Sequence, residues 1–342
     1  MNCLTPEYKF DEYAIDLKKV GINNIGEALR NKVEQYGVAV IPNVISSKKC
    51  QEMNSGMLDF FETITQNWET PFNRSDKKTF HTMFSLFPKH SMLIQNHQVG
   101  QAQVSWNLRQ NPKIVTIFSK FWNENPNNML VSFDGFSYHF PPEDTNRGWR
   151  RKTWFHTDQS FMRPDFECLQ SWITGNDVEE GDATLAFFEG SNKYHAEFAE
   201  RFGGDDVKKT LGSGDWYKLC NDEQLKFYYD LGCEPKCIKC PAGSMVFWDS
   251  RTIHCGVEST KKRANKKPRA VIYLCYTPRR LASEAVLRKR ISAFENMRTT
   301  NHWPHKPKLF PKKPRTYGAE LKEVADLPPP KLSILGKKLV GY

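Results

Sequence analysis

Apolar residues recur every fourth position between Ile25 and Val33, with Leu29 between them, which predicts a helix carrying one buried stripe. The spacing then closes up, and "GVAVIPNVIS" reads as a short strand apolar on both faces, bounded by glycine and proline. Ser46 or Ser47 stands where a helix cap is needed; the helix it opens has Cys50, Met53, Leu58 and Phe61 at its apolar positions. A further helix is expected from Pro112 through "KIVTIFSKFW".

From about Met129 the period changes. "MLVSFDGFSYHF", "FECLQSWITGNDV", "ATLAFFEGS", "GSMVFWDS" and "AVIYLCYTP" are strand-like runs separated by turn residues. Several such runs wrapped by helices from one side fit a double-sheet barrel better than a βαβ repeat. The pattern predicts a mostly β fold with flanking helices, its core a double-stranded β-helix, that is, a cupin-like jelly roll. After Pro278 a helix over "LASEAVLRKRISAFENM" leads into "NHWPHKPKLFPKKPRTYG" and "LPPPKLSILGKKLVGY", which read as an extended surface tail. The expected organisation is one domain over residues 1–302 and a basic, proline-rich tail over 303–342.

Composition supports a folded chain: 39% of residues are hydrophobic and 26% charged. The start, "MNCLTPEYKFDEYAIDLKK", has no apolar stretch of the kind a signal peptide needs, and no apolar run is long enough to cross a bilayer, so a cytoplasmic or nuclear setting is expected. Nine cysteines in that setting are expected to be reduced. Three of them, Cys233, Cys237 and Cys240, have a C-x₃-C-x₂-C spacing that suits an iron–sulfur cluster or, with Cys220 or Cys255, zinc. The cluster motif normally leads a βα barrel, which does not follow here, and core-filling thiols are the plain alternative.

The net charge of +10 divides unevenly. Residues 1–260 carry 28 Lys+Arg against 34 Asp+Glu, and the rest carry 21 against 5, so the basicity belongs to the C-terminal quarter. Such a segment can hold nucleic acid or another polyanion, and is as commonly a solvated face.

The chemistry begins at "TWFHTDQSF". In a strand, residues two apart share a face, so His156 and Asp158 present an imidazole and a carboxylate side by side. That is two members of a 2-His-1-carboxylate iron site, and His254 in "GSMVFWDSRTIHCG" is the candidate third. A bare H-x-D also arises by chance. Arg269, which opens the next strand, has the planar fork that grips a dicarboxylate, or else it merely ends the basic loop "KKRANKKPR". Trp154, Gln159, Phe161 and Trp248 lie near these positions and are candidates for an aromatic substrate pocket. His139, His195 and the histidines of "NHWPH" are read as structural or surface residues.

In order, "YGVAVIPNVIS", "HTD", "GDATLAFFEGSNKYH", "PAGSMVFWDSRTIHCG" and "RAVIYLCY" span roughly residues 25 to 280, and together they resemble the phytanoyl-CoA dioxygenase family of Fe(II)/2-oxoglutarate-dependent oxygenases. The resemblance implies that His156, Asp158 and His254 hold iron and that Arg269 binds the distal carboxylate of 2-oxoglutarate. It also places Trp172 against the cosubstrate, and Tyr138 is a candidate for a further hydrogen bond to it, with a core role as the alternative. The implied reaction uses O₂ to hydroxylate an unactivated C–H bond, releasing succinate and CO₂. Related halogenases replace the carboxylate ligand by a small residue, so the presence of Asp158 argues for hydroxylation. A small-molecule substrate is expected; the other readings are an oxygenase acting on a macromolecule docked through the basic tail, and a non-catalytic binding protein on the same barrel.

Overall fold

The computed structural model describes residues 6–86, 93–150, 152–314, 318 and 320–342. Its strands, in chain order, are β1 (Glu7–Lys9), β2 (Val38–Ile41), β3 (Met129–Val131), β4 (Phe136–His139), β5 (His156–Thr157), β6 (Leu169–Thr174) and β7 (Thr184–Phe188). There follow β8 (Tyr217–Lys218), β9 (Pro235–Ile238), β10 (Met245–Asp249), β11 (His254–Val257), β12 (Arg269–Tyr273) and β13 (Tyr276–Pro278). They form a six-stranded sheet ordered β1-β9-β7-β11-β5-β8, a five-stranded sheet ordered β2-β10-β6-β12-β4, and the pair β13-β3. All pairings are antiparallel except β1 with β9.

Strand alternation decides which side chains meet. Val38, Val40, Trp172, Val246, Trp248 and Val271 of the five-stranded sheet pack with Leu185, Phe187 and Ile238 of the six-stranded sheet, so the two sheets face each other across this cluster. The opposite face of the five-stranded sheet, with Ile173, Phe247 and Ile272, packs on the N-terminal helices through Leu29, Phe60, Phe61 and Phe118. Behind the six-stranded sheet, Ala186, Cys255 and Val257 pack against Phe198, Leu225 and Tyr228.

The helices follow from the predicted stripes. Ile25, Leu29 and Val33 are the buried face of helix Ile25–Tyr36, which ends at Gly37 in the left-handed region (φ 78°). Ser46, rather than Ser47, caps helix Ser47–Thr65 by accepting from the Lys49 N–H. That helix buries Met57 and Phe60 along with the expected Cys50, Met53 and Phe61, whereas Leu58 is only partly buried at its side.

Two expectations are corrected. Helix accounts for 37% of the described residues and strand for 18%, so the protein is mixed α/β with antiparallel sheets and not mostly β. The difference lies partly between β7 and β9, where helices His195–Gly203, Val207–Leu211 and Asp222–Asp230 fill a region whose apolar stripes are short and broken by glycine. The chain after residue 303 is also more than an extended surface segment. Helix Ile334–Val340 buries Leu339 and Val340 completely. The fully buried Arg290 guanidinium donates to the carbonyls of Val131, Pro304, Leu339 and Val340, fastening that end to the body.

Tight backbone approaches fix the sheet edge. At Gly135 a Cβ would stand 1.7 Å from the Ile94 carbonyl oxygen, whose own N–H donates to Phe136 at 2.8 Å. Gly135→Ala must move main chain, and is expected to cost about 1–3 kcal/mol or more, read as a lower urea midpoint.

Candidate metal centre

β11 and β5 are antiparallel neighbours in a register that sets His254 directly opposite His156. Opposed residues on such strands project to the same face, and the two rings meet with centroids 4.4 Å apart. Asp158 follows just beyond β5, where its N–H donates to the Ser250 carbonyl at 3.0 Å. Its Oδ1 lies 3.5 Å from His156 Nε2 and its Oδ2 3.4 Å from His254 Nε2. One ligand atom from each of the three side chains falls within 4.8 Å of the others, and among the described residues this is the one such group of three or more His, Cys, Asp or Glu.

The state of each group is set by its surroundings. His156 Nδ1 lies 3.2 Å from the Trp154 carbonyl and His254 Nδ1 2.9 Å from the Thr252 carbonyl. A carbonyl only accepts, so Nδ1 carries the hydrogen in each ring and Nε2 keeps its lone pair. Burial, reinforced by repulsion from His254, pushes His156 down to about 3, which keeps it neutral. Burial alone would raise the pKa of Asp158, but positive charge placed at the two imidazoles outweighs it and holds the carboxyl below the usual range. Three lone-pair donors therefore converge on one point with no donor between them, an arrangement that is costly unless a cation joins them. Two imidazole nitrogens and a carboxylate fit ferrous iron. The histidine side chains are 6% and 5% exposed and that of Asp158 16%, so the centre opens to solvent on the carboxylate side.

Neighbouring side chains hold this set in place. Gln170 Nε2 donates to Asp158 Oδ2 at 3.1 Å. Trp154 stacks on His156 at 4.5 Å and 7°, fixed by its own Nε1 donating to the Gly256 carbonyl at 3.0 Å. Trp248 lies 5.6 Å from the His254 ring and Trp216 5.8 Å from that of His156. Gln170→Leu leaves a carboxylate oxygen without its donor, and is expected to weaken Fe(II) binding about 10–100-fold in an anaerobic titration.

The opposite wall comes from the five-stranded sheet. Register and alternation put Gln170, Trp172, Trp248, Arg269 and Tyr273 on the face turned toward the six-stranded sheet. The Arg269 guanidinium lies 5.4 Å from the Trp172 ring and donates to the Ala183 carbonyl at 3.1 Å. Its Nε, with Trp172 Nε1 and Trp248 Nε1, is buried without a hydrogen-bond partner among the described residues. Unpaired buried donors are rare in folded proteins, and several lining one space fit an oxygen-rich ligand.

Not every expected residue reaches the site. Trp154 and Trp248 flank the two histidines, as just described, whereas Phe161 stacks on His195 at 4.4 Å and on Phe198 at 4.5 Å inside the core behind the sheet. Gln159 is fully buried and spans a loop, donating to the carbonyls of Arg163 and Asp165 and accepting from Ser250. Tyr138 pairs with Ala270, so it faces the helices and packs on Phe61 and Phe140, on the side of the sheet away from Arg269. Cys233 and Cys237 pack in the core behind the six-stranded sheet and Cys240 in the cluster between the sheets, so they form no common site. Burial raises these thiols to about 11, about 12 and about 12, which keeps them protonated.

Gln170, Trp216 and His302 were not anticipated. Gln170 was accessible, since it precedes Trp172 by two residues on the same strand face. His302, within "NHWPH", lies in electrostatic reach of Asp158 and His254 instead of at a remote surface, and no local sequence pattern signals that return of the chain.

A family model described as phytanoyl-CoA dioxygenase (PhyH) matches residues 33–265. Ava biosynthesis cluster protein O of Aspergillus versicolor is 24% identical over 278 residues, covering 81% of this chain and 86% of that protein. Among solved structures, GlcNAc Inducible Gene 2, GIG2 (DUF1479), from Candida albicans has a TM-score of 0.57 at 14% identity, covering 83% of this chain and 70% of that one. Protein JW0805 from Escherichia coli has a TM-score of 0.57 at 14% identity, covering 96% and 85%. These structural likenesses concern the fold alone.

Proposed function

The chain belongs to the phytanoyl-CoA dioxygenase (PhyH) family of Fe(II)- and 2-oxoglutarate-dependent oxygenases, and from that membership we propose that it hydroxylates an unactivated C–H bond of a small molecule. The observation that carries this reading is the convergence of His156 Nε2, His254 Nε2 and the Asp158 carboxylate, with both Nδ1 atoms committed to backbone carbonyls. The two facing sheets are read as a double-stranded β-helix, or jelly roll, with the metal site on one sheet and Arg269 on the other.

In this reading His156, Asp158 and His254 hold iron, which, when bound with 2-oxoglutarate, supplies O₂-dependent C–H oxidation with release of succinate and CO₂. Arg269 binds the distal carboxylate through its fork, with the Trp172 ring packed on the guanidinium and Tyr273 beside it. Trp172 and Trp248 offer their unpaired indole N–H groups to the oxygens of the cosubstrate. Gln170 fixes the carboxylate plane of Asp158, and Trp154 fixes the plane of His156.

A small-molecule substrate is favoured by the exposed indoles at the centre, and the relative from Aspergillus versicolor bears the name of a biosynthesis cluster protein. Among the described residues no helix is long and apolar enough to cross a membrane. The test is anaerobic binding of Fe(II) and 2-oxoglutarate, followed by succinate release in air with a panel of small apolar compounds. Binding of both, with succinate release stimulated by at least one compound, is the expected result; a chain that binds neither refutes the reading.

A further inference from the structure

Of the nine tryptophans, Trp154 (38% exposed) and Trp216 (55%) are the exposed ones, and both lie against the same metal-site ring, His156. Single exposed apolar side chains are ordinary. Two large exposed indoles against one candidate ligand offer a surface for a flat partner. Trp154 is held rigidly by its hydrogen bond to Gly256, whereas the indole nitrogen of Trp216 shows no such tie among the described hydrogen bonds.

His302 supplies a polar element to the same place. Its ring lies in electrostatic reach of His156, Asp158, His254 and Asp215, the residue before Trp216. Its Nε2 is buried and has no hydrogen-bond partner among the described residues. The ring also reaches the Asp158 backbone, and among the described residues its Nε2 is left for a partner from outside.

We propose that the mouth of this centre recognises a substrate with a planar, unsaturated ring system, clasped by Trp154 and Trp216, that carries a hydrogen-bonding group for His302 Nε2. The proposal deepens the functional reading above and rests on it for the position of the reacting carbon. It assigns Trp216 and His302 to specificity: Trp216 reads the ring and His302 reads the substituent.

The test uses the full chain and three probes matched in size. These are 2-naphthol, its saturated counterpart 2-decalol, and 2-methylnaphthalene, which lacks the hydroxyl; binding is followed by ligand-observed NMR. 2-Naphthol is expected to bind more tightly than either. Trp216→Ala should weaken 2-naphthol about tenfold and erase its advantage over 2-decalol, and Trp216→Phe should restore most of it. His302→Ala should instead bring 2-naphthol down to the level of 2-methylnaphthalene. The proposal is overturned if 2-decalol binds as well as 2-naphthol, if 2-naphthol is not held at all, or if folded Trp216→Ala and His302→Ala proteins, checked by circular dichroism, bind it like the unaltered chain. Fe(II) and 2-oxoglutarate binding by the unaltered chain is measured alongside. Loss of that binding with ring discrimination intact sinks the metal-site reading; the converse sinks only the ring proposal.

Discussion

His254→Ala is expected to abolish ferrous iron binding at micromolar metal and to lower substrate-dependent succinate release by on the order of 10³-fold, since even outer partners of a metal site cost about 10–100-fold. The remaining pair, His156 and Asp158, comes from one short stretch at the end of β5 and offers two ligands where iron retention needs a third from β11. The substitution also removes the ring that Trp248 packs against at 5.6 Å, so some loss of stability accompanies it. The two effects separate experimentally. Thermal melting of the metal-free variant reports the packing term, and anaerobic titration with Fe(II), or Co(II) absorption as a surrogate, reports the site. A folded His254→Ala protein that takes up iron like the unaltered chain would show that the three side chains meet for another reason.

The core of this site was legible because strand chemistry is local. H-x-D places an imidazole and a carboxylate on one face by period alone, and a Gly-led apolar run ending in His254 marks a second strand of the right kind. The register that sets His254 against His156 is a tertiary fact; the order of motifs along the chain stood in for it. Face errors arose where alternation was not applied. Tyr138 lies between Ser137 and His139 on β4, and counting from Arg269 through its partner His139 would have turned Tyr138 to the helices. Phe161 and Gln159 follow the two-residue strand β5 in a loop, where period 2 no longer holds, and burial then sends one to the core and the other to loop carbonyls. The helices between residues 195 and 230 were missed for a different reason. Each is nine residues or shorter, too short to show three full turns of apolar stripe, and packing behind the sheet stabilises them more than propensity does. His302 and the terminal helix were illegible because proline- and lysine-rich composition favours an extended reading, while a few buried contacts, above all those of Arg290, bring the chain back.

Arg269 allows a test of the other wall. In the functional reading its fork meets a carboxylate; in the plain alternative it is a structural residue that bonds the Ala183 carbonyl and covers Trp172. The two make different demands on substitutions. A buried, hydrogen-bonded charge pair loses about 2–5 kcal/mol when one partner is truncated, so Arg269→Gln is expected to raise the KM for 2-oxoglutarate by on the order of 10²-fold or more. Arg269→Lys keeps the charge without the planar fork and should fall between the two. Because Arg269 belongs to the five-stranded sheet and the three candidate ligands to the other, Fe(II) affinity measured without cosubstrate should change little in either variant. A structural arginine predicts the reverse pattern: Arg269→Gln would melt earlier by losing the Ala183 bond and the contact with Trp172, while any protein still folded would bind 2-oxoglutarate as before. The unpaired Arg269 Nε decides the expectation, since a purely structural guanidinium buried to 8% exposure would be expected to spend that donor on the protein itself.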